Sequence, residues 1–238
     1  MWSSMNKTTK AVVPFSGGMD STTILYNTKQ TYDEVYAISF FYGQRHKKEL
    51  DAAQKISKKV GVKEHRLIDV SFFKELASTS SLTNDEVDVA KAKDVMGDPQ
   101  TVNYVPFRNM MLLSIACAYA ETVGATAVYH GAAQADSVAG YWDGSPEFLD
   151  EINKVTALNR RNRITIKAPL LTMSKAEIIK LGVSLGIDYA DTWTCYEGKE
   201  KACGECTACA LRLKGFIDAK IVDPVHYSKA IDWDKYIN

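Results

Sequence analysis

The 238-residue chain is long enough to bury one sizeable core, with room for a small appendage. Its 46% apolar and 24% charged residues are ordinary for a globular protein, and its 29 basic and 29 acidic side chains cancel, so charge gives no reason to expect a direct nucleic acid partner. No apolar run reaches the length of a membrane span, and Met1 to Lys7 lack a signal-peptide core, so a cytoplasmic protein is expected, its five cysteines thiols or metal ligands rather than disulfides.

Along the chain, the apolar run Ala11 to Phe15 reads as a strand ending at Ser16-Gly17-Gly18-Met19-Asp20-Ser21, after which Thr22, Thr23, Ile24 and Leu25 enter a helix. Two adjacent glycines let backbone N–H groups converge on an anion, and the helix brings its positive end to the same place. Asp20 makes sense among phosphate donors only with a cation such as magnesium. The loop is neither a Walker A motif, since no lysine follows the glycines, nor the dinucleotide fingerprint. It resembles the pyrophosphate loop of the N-type ATP pyrophosphatases, which cleave ATP between its α and β phosphates.

Glu34 to Phe41 follows as a buried strand. Lys47 to Val60 is a helix with Leu50, Ala53, Ile56 and Val60 at helical spacing and Gly61 at its stop, and His65 to Val70 is a third strand. From Ser78 to Gln100 the pattern lapses, which predicts a surface excursion, mobile when the site is empty. A helix over Met110 to Val123, a strand over Thr126 to Tyr129, and helices over Pro146 to Leu158 and Lys175 to Leu185 complete the reading, with Ser174 and Glu177 spaced as a capping box. The alternation predicts an α/β fold with a doubly wound, mostly parallel sheet and ligands at the carboxyl ends of its strands.

Cys195, Cys203, Cys206 and Cys209 form a C-x7-C-x2-C-x2-C cluster. Four thiolates without histidine suit a closed, structural zinc site, and the cysteine-proline continuation of an iron–sulfur run is missing. Cys117 sits on an apolar helix and reads as core. Candidate ligand contacts follow the strands: Tyr42, Gln44, Arg45 and His46 after the second, Arg108 and Asn109 at a helix start, Asp136, Tyr141 and Asp143 after the fourth, and Lys175 opening a helix.

Together, Phe15 to Thr23, Tyr42-Gly43-Gln44-Arg45-His46, Val105-Pro106-Phe107-Arg108-Asn109, Pro169-Leu170 with Lys175, Thr192 to Tyr196 and the cysteine cluster resemble the 7-cyano-7-deazaguanine synthase family. The resemblance implies an adenine nucleotide α-hydrolase-like domain over residues 8–190, with a zinc subdomain over 191–238 packed on it. It implies a ligase that turns 7-carboxy-7-deazaguanine and ammonia into the nitrile through an acyl-adenylate and an amide, releasing AMP and pyrophosphate. Phe15 to Leu25 would bind ATP, Asp20, Ser16, Lys175 and Arg108 would act in catalysis, and Tyr42, Gln44, Arg45, His46, Arg108, Asn109, Asp136, Tyr141 and Asp143 would meet the deazaguanine. A homodimer is also implied. In place of the family's usual Pro-Asp-Cys-Arg run this chain reads Trp142-Asp143-Gly144-Ser145, so the substrate carboxylate needs another cation: Arg108, or one of Arg160, Arg161 and Arg163. Two further readings share these residues, an ATP-dependent tRNA thiolase and a non-catalytic nucleotide-binding zinc module.

Overall fold

In the computed structural model, which describes residues 8–45, 47–95, 98, 101–138 and 140–237, strands and helices alternate from the start. β1 (Lys10–Pro14), α1 (Met19–Lys29), β2 (Glu34–Phe41), α2 (Lys48–Val60) and β3 (Glu64–Asp69) come first. After them come α3 (Phe73–Leu76), α4 (Ala92–Val95), α5 (Arg108–Val123), β4 (Ala127–Tyr129), α6 (Gln134–Val138) and α7 (Pro146–Thr156). The chain then forms β5 (Thr165–Lys167), α8 (Lys175–Ser184), α9 (Thr207–Ala219) and α10 (Asp234–Ile237).

The strands pair in the order β3-β2-β1-β4-β5, and every pairing is parallel. The chain steps outward from β1 to β3, then returns to the other side of β1 for β4 and β5. The order therefore reverses between β1 and β4, and a crevice opens at their carboxyl ends. Alternation along β1 fills both faces. Ala11 and Val13 pack with Ile24, Leu25, Ile56 and Ile178, while Val12 packs with Leu113, Ala116 and Tyr119 of α5. The doubly wound parallel sheet is thus as expected. Gly61 ends α2 at φ +68°, and Ser174 and Glu177 form the expected capping box on α8.

Of the segment expected as a surface excursion from Ser78 to Gln100, residues 96, 97, 99 and 100 lie outside the described residues, and part of the rest is core. Ser80, Ser81, Leu82 and Thr83 are buried, and α4 lies against the cysteine segment, where Ala92 N–H donates to the Glu205 carbonyl at 2.8 Å. Small hydroxyl residues bonded to nearby backbone fold here without helical or strand periodicity. The Thr83 hydroxyl donates to the Ala77 carbonyl at 2.5 Å, and the Ser81 hydroxyl to Asn103 Oδ1 at 2.7 Å.

The C-terminal elements share their core with the sheet domain: Phe216 of α9 packs with Met19, Ile179 and Tyr189. A Cβ at Gly215 would lie 2.7 Å from the Cβ of Lys175, so glycine lets α9 pass close to the start of α8. Behind the cysteines, Arg212 grips Asp223 with Nε at 2.7 Å and a second nitrogen at 2.8 Å, both side chains being buried. Arg212 also donates to Thr192 Oγ1 at 2.7 Å and to the Tyr189 carbonyl at 3.1 Å.

Candidate active site

A cleft of about 360 Å³ lies at the reversal between β1 and β4. Its walls are the glycine loop, the start of α2, the start of α5, the segment after β4 and the start of α8.

Gly17 has φ +81°, and a Cβ there would stand 2.4 Å from the Glu49 carbonyl oxygen and 2.6 Å from the Ala53 nitrogen, so the loop rests directly on α2. Ser16 Oγ accepts from Gly18 N–H at 3.2 Å and sits 3.0 Å from Ser21 Oγ, which curls the loop. Gly18 begins α1 without a side-chain cap, so the first-turn N–H groups at the cleft have no side-chain acceptor. The far end of the expected nucleotide segment is corrected. Ile24 and Leu25 lie in the core, and the Thr23 hydroxyl is taken up by the Met19 carbonyl and Tyr189. Thr22 Oγ1 is buried without a partner among the described residues.

Asp20 and Lys175 meet. Lys175 Nζ donates to Asp20 Oδ2 at 2.8 Å, while Asp20 Oδ1 is buried with no partner among the described residues. A buried, unsatisfied carboxylate oxygen at a phosphate loop suits a hard cation, and the residues fit magnesium on that ground. Burial opposes the Lys175 charge, but Asp20 and Asp136 raise its pKa overall. Asp136 accepts from Ala133 N–H at 2.8 Å, and burial pushes its pKa up against the pull of Lys175. It lines the cleft and acts electrostatically on Asp20 and Lys175.

Across the cleft, Arg108 opens α5 behind Phe107, whose φ of +53° turns the chain into the helix. Its guanidinium lies 3.3 Å from the Tyr42 hydroxyl, and Tyr42, Tyr196 and Asp143 hold its pKa up against burial. Arg160, Arg161 and Arg163 are exposed and line none of the cleft, so of the four candidate arginines only Arg108 lines it. Asn109 lines the cleft one residue inside the helix.

Gln44 and Arg45 line the cleft, where their polar groups also engage the backbone. Gln44 closes its own turn, accepting from Tyr42 N–H at 2.8 Å and donating to the Phe40 carbonyl at 3.2 Å. Arg45 donates to the carbonyls of Ser81 (2.7 Å), Asn84 (3.0 Å) and Val87, clasping the buried segment to the cleft wall. His46 lies outside the described residues. On the far wall Tyr141 stacks on Tyr104, ring centroids 6.0 Å apart, and Trp142 Nε1 donates to the Tyr104 hydroxyl at 2.8 Å. Asp143 is buried, its carbonyl 2.8 Å from His130 Nε2.

Glu49 lines the cleft and was absent from the expected site. Burial pushes its pKa up to about 7, with Arg108 pulling it down and Cys195 pushing it up. Its signal was readable: Glu49, Ala53 and Ile56 stand at i, i+4 and i+7, which puts an acid on the inward face of α2.

The four cysteine sulfurs lie within 4.8 Å of one another. Backbone N–H groups point at them, from Cys203 to Cys195 Sγ at 3.3 Å and from Cys206 to Cys203 Sγ at 3.3 Å, as suits thiolates. A four-sulfur set without histidine or carboxylate fits zinc.

Residues 10–220 match the family described as Queuosine biosynthesis protein QueC. The chain belongs to the QueC family. It is 44% identical over 218 residues to "7-cyano-7-deazaguanine synthase 1" of Colwellia psychrerythraea, an alignment covering 92% of this chain and 98% of that one. It is 42% identical over 226 residues to the 7-cyano-7-deazaguanine synthase of Thermoplasma acidophilum, covering 92% of each chain. Among solved structures it is similar to an NH3-dependent NAD synthetase of Campylobacter jejuni, with TM-score 0.48, 14% identity, and coverage of 76% of this chain and 66% of that one. Membership of the QueC family removes the thiolase and non-catalytic readings. No helix among the described residues is long and apolar enough to cross a membrane.

Proposed function

We infer that the chain converts 7-carboxy-7-deazaguanine and ammonia into 7-cyano-7-deazaguanine, consuming two ATP and releasing two AMP and two pyrophosphates. One observation carries the reading beyond family likeness: a phosphate-type loop with the Asp20–Lys175 pair, and the buried cation Arg108, line one cleft.

A carboxylate lacks an adequate leaving group, so it must first be activated. Arg108 holds the substrate carboxylate, and one of its oxygens attacks the α-phosphorus of an ATP whose phosphates lie on Ser16 to Ser21. Lys175 neutralises charge as pyrophosphate departs, leaving the acyl-adenylate. Ammonia then displaces AMP to give the amide. The amide oxygen takes a second adenylyl group, and loss of that AMP with the remaining N–H protons leaves the triple bond. Tyr141, Asp143 and Asn109 line the part of the cleft where the base would lie. Magnesium, held by Asp20, would supply charge neutralisation at the phosphates. Zinc, held by Cys195, Cys203, Cys206 and Cys209, would be structural. The division into a domain over 8–190 and a zinc subdomain over 191–238, like the homodimer, belongs to this reading.

Incubating the protein with the carboxylic acid, ammonium, magnesium and ATP, and following products by mass spectrometry, tests it. The nitrile with AMP is expected; ADP as the nucleotide product, or no nitrile, rejects it.

A further inference from the structure

We propose that Glu49 is the ammonium-binding group of the cleft, its carboxylate taking the proton that frees ammonia to attack the activated acid; this rests on the function inferred above.

The first argument is position. Glu49 lies in the first turn of α2 on its inward face and lines the cleft. Its neighbour Lys48 is directed elsewhere, donating to the Glu200 carbonyl at 3.1 Å and lying 4.3 Å from the centre of the Trp193 ring. Among the described residues no hydrogen bond or ion pair engages the Glu49 carboxylate. Of the other cleft acids, Asp20 meets Lys175 through Oδ2 and is assigned to magnesium through Oδ1, Asp136 accepts from the Ala133 N–H, and Asp143 is assigned to the base.

The second argument is electrostatic. A carboxylate taken out of bulk water without a partner is costly, and the cost is removed by a cation or a proton. The charged and titratable groups that act on Glu49 come from three elements: Arg108 of α5, Tyr42 after β2, and Cys195 with Tyr196 in the cysteine segment. Arg108 is the one cation among them, and the proposed reaction gives it to the substrate carboxylate. Glu49 then needs a second cation; magnesium is assigned to Asp20 at the phosphate loop, which leaves the ammonium that this reaction brings. Burial raises the pKa of Tyr42, keeping that phenol neutral, and an aromatic ring near a carboxylate suits a small cation. Arg108 and ammonium balance Glu49 and the substrate carboxylate, charge for charge, with the nitrogen held beside the carbon it must reach.

The step balances. Ammonium transfers one proton to the Glu49 carboxylate and becomes ammonia. The nitrogen lone pair forms the bond to the acyl carbon, and the carbon–oxygen bond to the phosphate breaks, with AMP leaving on that electron pair. The new nitrogen sheds a second proton to solvent, giving the neutral amide, and Glu49 releases its own proton before the next ammonium binds.

The test is Glu49→Gln in the full-length protein, compared with wild type in nitrile formation and in acid-dependent ATP–pyrophosphate exchange, which needs no nitrogen. The Michaelis constant for ammonium should rise about tenfold or more, while exchange and the constant for ATP stay within about threefold. Hydroxylamine is neutral near pH 7 and needs no base, so it should drive AMP release in Glu49→Gln about as well as in wild type. Should Glu49→Gln fold poorly, Glu49→Asp, with its carboxylate set back by one methylene, should show the same selective loss for ammonium. Unchanged ammonium dependence, loss of exchange in parallel, or the selective ammonium defect appearing in Asp143→Asn instead would overturn the assignment. A wild-type protein that makes no nitrile rejects the parent reading; an active wild type with an unaffected Glu49→Gln rejects this one alone.

Discussion

The backbone N–H of Trp193 donates a 3.1 Å hydrogen bond to the carbonyl of Gly17. Trp193 stands two residues before the first cysteine of the cluster, and Gly17 is the first glycine of the phosphate loop. Arg212 braces this joint from behind through Thr192, Thr194 and Asp223. The cysteine knuckle and the nucleotide loop are therefore mechanically connected.

That connection predicts a metal effect on nucleotide binding. If zinc closes the four-thiolate site, its affinity becomes local folding energy for residues 195–209. We expect one zinc per chain by elemental analysis. Cys206→Ser should lose the metal, lower the melting temperature and weaken ATP binding by calorimetry. Cys117→Ser should keep its zinc and its ATP affinity, since burial pushes that thiol up to about 11 and it stands apart on α5. Iron with sulfide in place of zinc would reject the assignment.

Gly17 and Gly61 both have positive φ, but only one is crowded. Gly61→Ala meets nothing within 4 Å and should cost about 1 kcal/mol, the ordinary expense of a left-handed alanine. Gly17→Ala drives a methyl into the α2 backbone and should cost about 3 kcal/mol or more. Denaturant unfolding of the two variants should separate them clearly. Equal stabilities would show that the loop can lift off α2.

Asp20→Asn keeps shape and removes charge. Lys175 keeps only Asp136 nearby, and the cation side of the loop is lost. AMP formation should fall by roughly 10²-fold or more while the melting temperature changes little. Near-normal turnover at saturating magnesium would remove Asp20 from the chemistry.

Glu49 also makes a stability prediction, with the sign opposite to that of a salt-bridged acid. Its pKa in the folded protein, about 7, exceeds the ordinary 4.5 of a glutamate, chiefly through burial. The folded state then binds more protons than the unfolded chain between these values, so stability falls as pH rises from about 4.5 to about 7. Glu49→Gln should remove that loss and melt higher than wild type above pH 7 without substrates. Parallel melting curves across this range would show that Glu49 is solvated like a surface acid.

The strands β1 and β2, the α2 stop at Gly61 and the α8 capping box were legible because each rests on local rules of apolar run, left-handed glycine and paired caps. The glycine loop and the cysteine cluster were legible because their chemistry is compressed into adjacent residues. β5 was missed: three residues carry one buried side chain, Ile166, too little for a period. α9 was missed because the cysteines masked a helix that starts just after Cys206, whose sulfur caps it. The backbone partners of Arg45 were not legible, because sequence shows a cation at a strand end but not the carbonyls of Ser81, Asn84 and Val87 folding back onto it. The influence of Lys175 on Asp136 was illegible for the same reason, since nothing local foretells that these distant residues meet at one cleft.

The single glycine loop, set against a reaction that activates the same molecule twice, imposes an order of traffic. Among the described residues one such loop meets the cleft, so the first spent nucleotide must depart and a fresh one arrive while the half-finished amide stays in place. In the proposed reaction the grip on the base, assigned to Arg108 and the Tyr141 wall, must therefore outlast the grip on AMP. If that ranking were reversed, the protein would leak amide into solution at each cycle and consume ATP for an abortive product. The relative dwell times of two ligands in one cleft, more than the speed of either adenylation, then set the yield of nitrile.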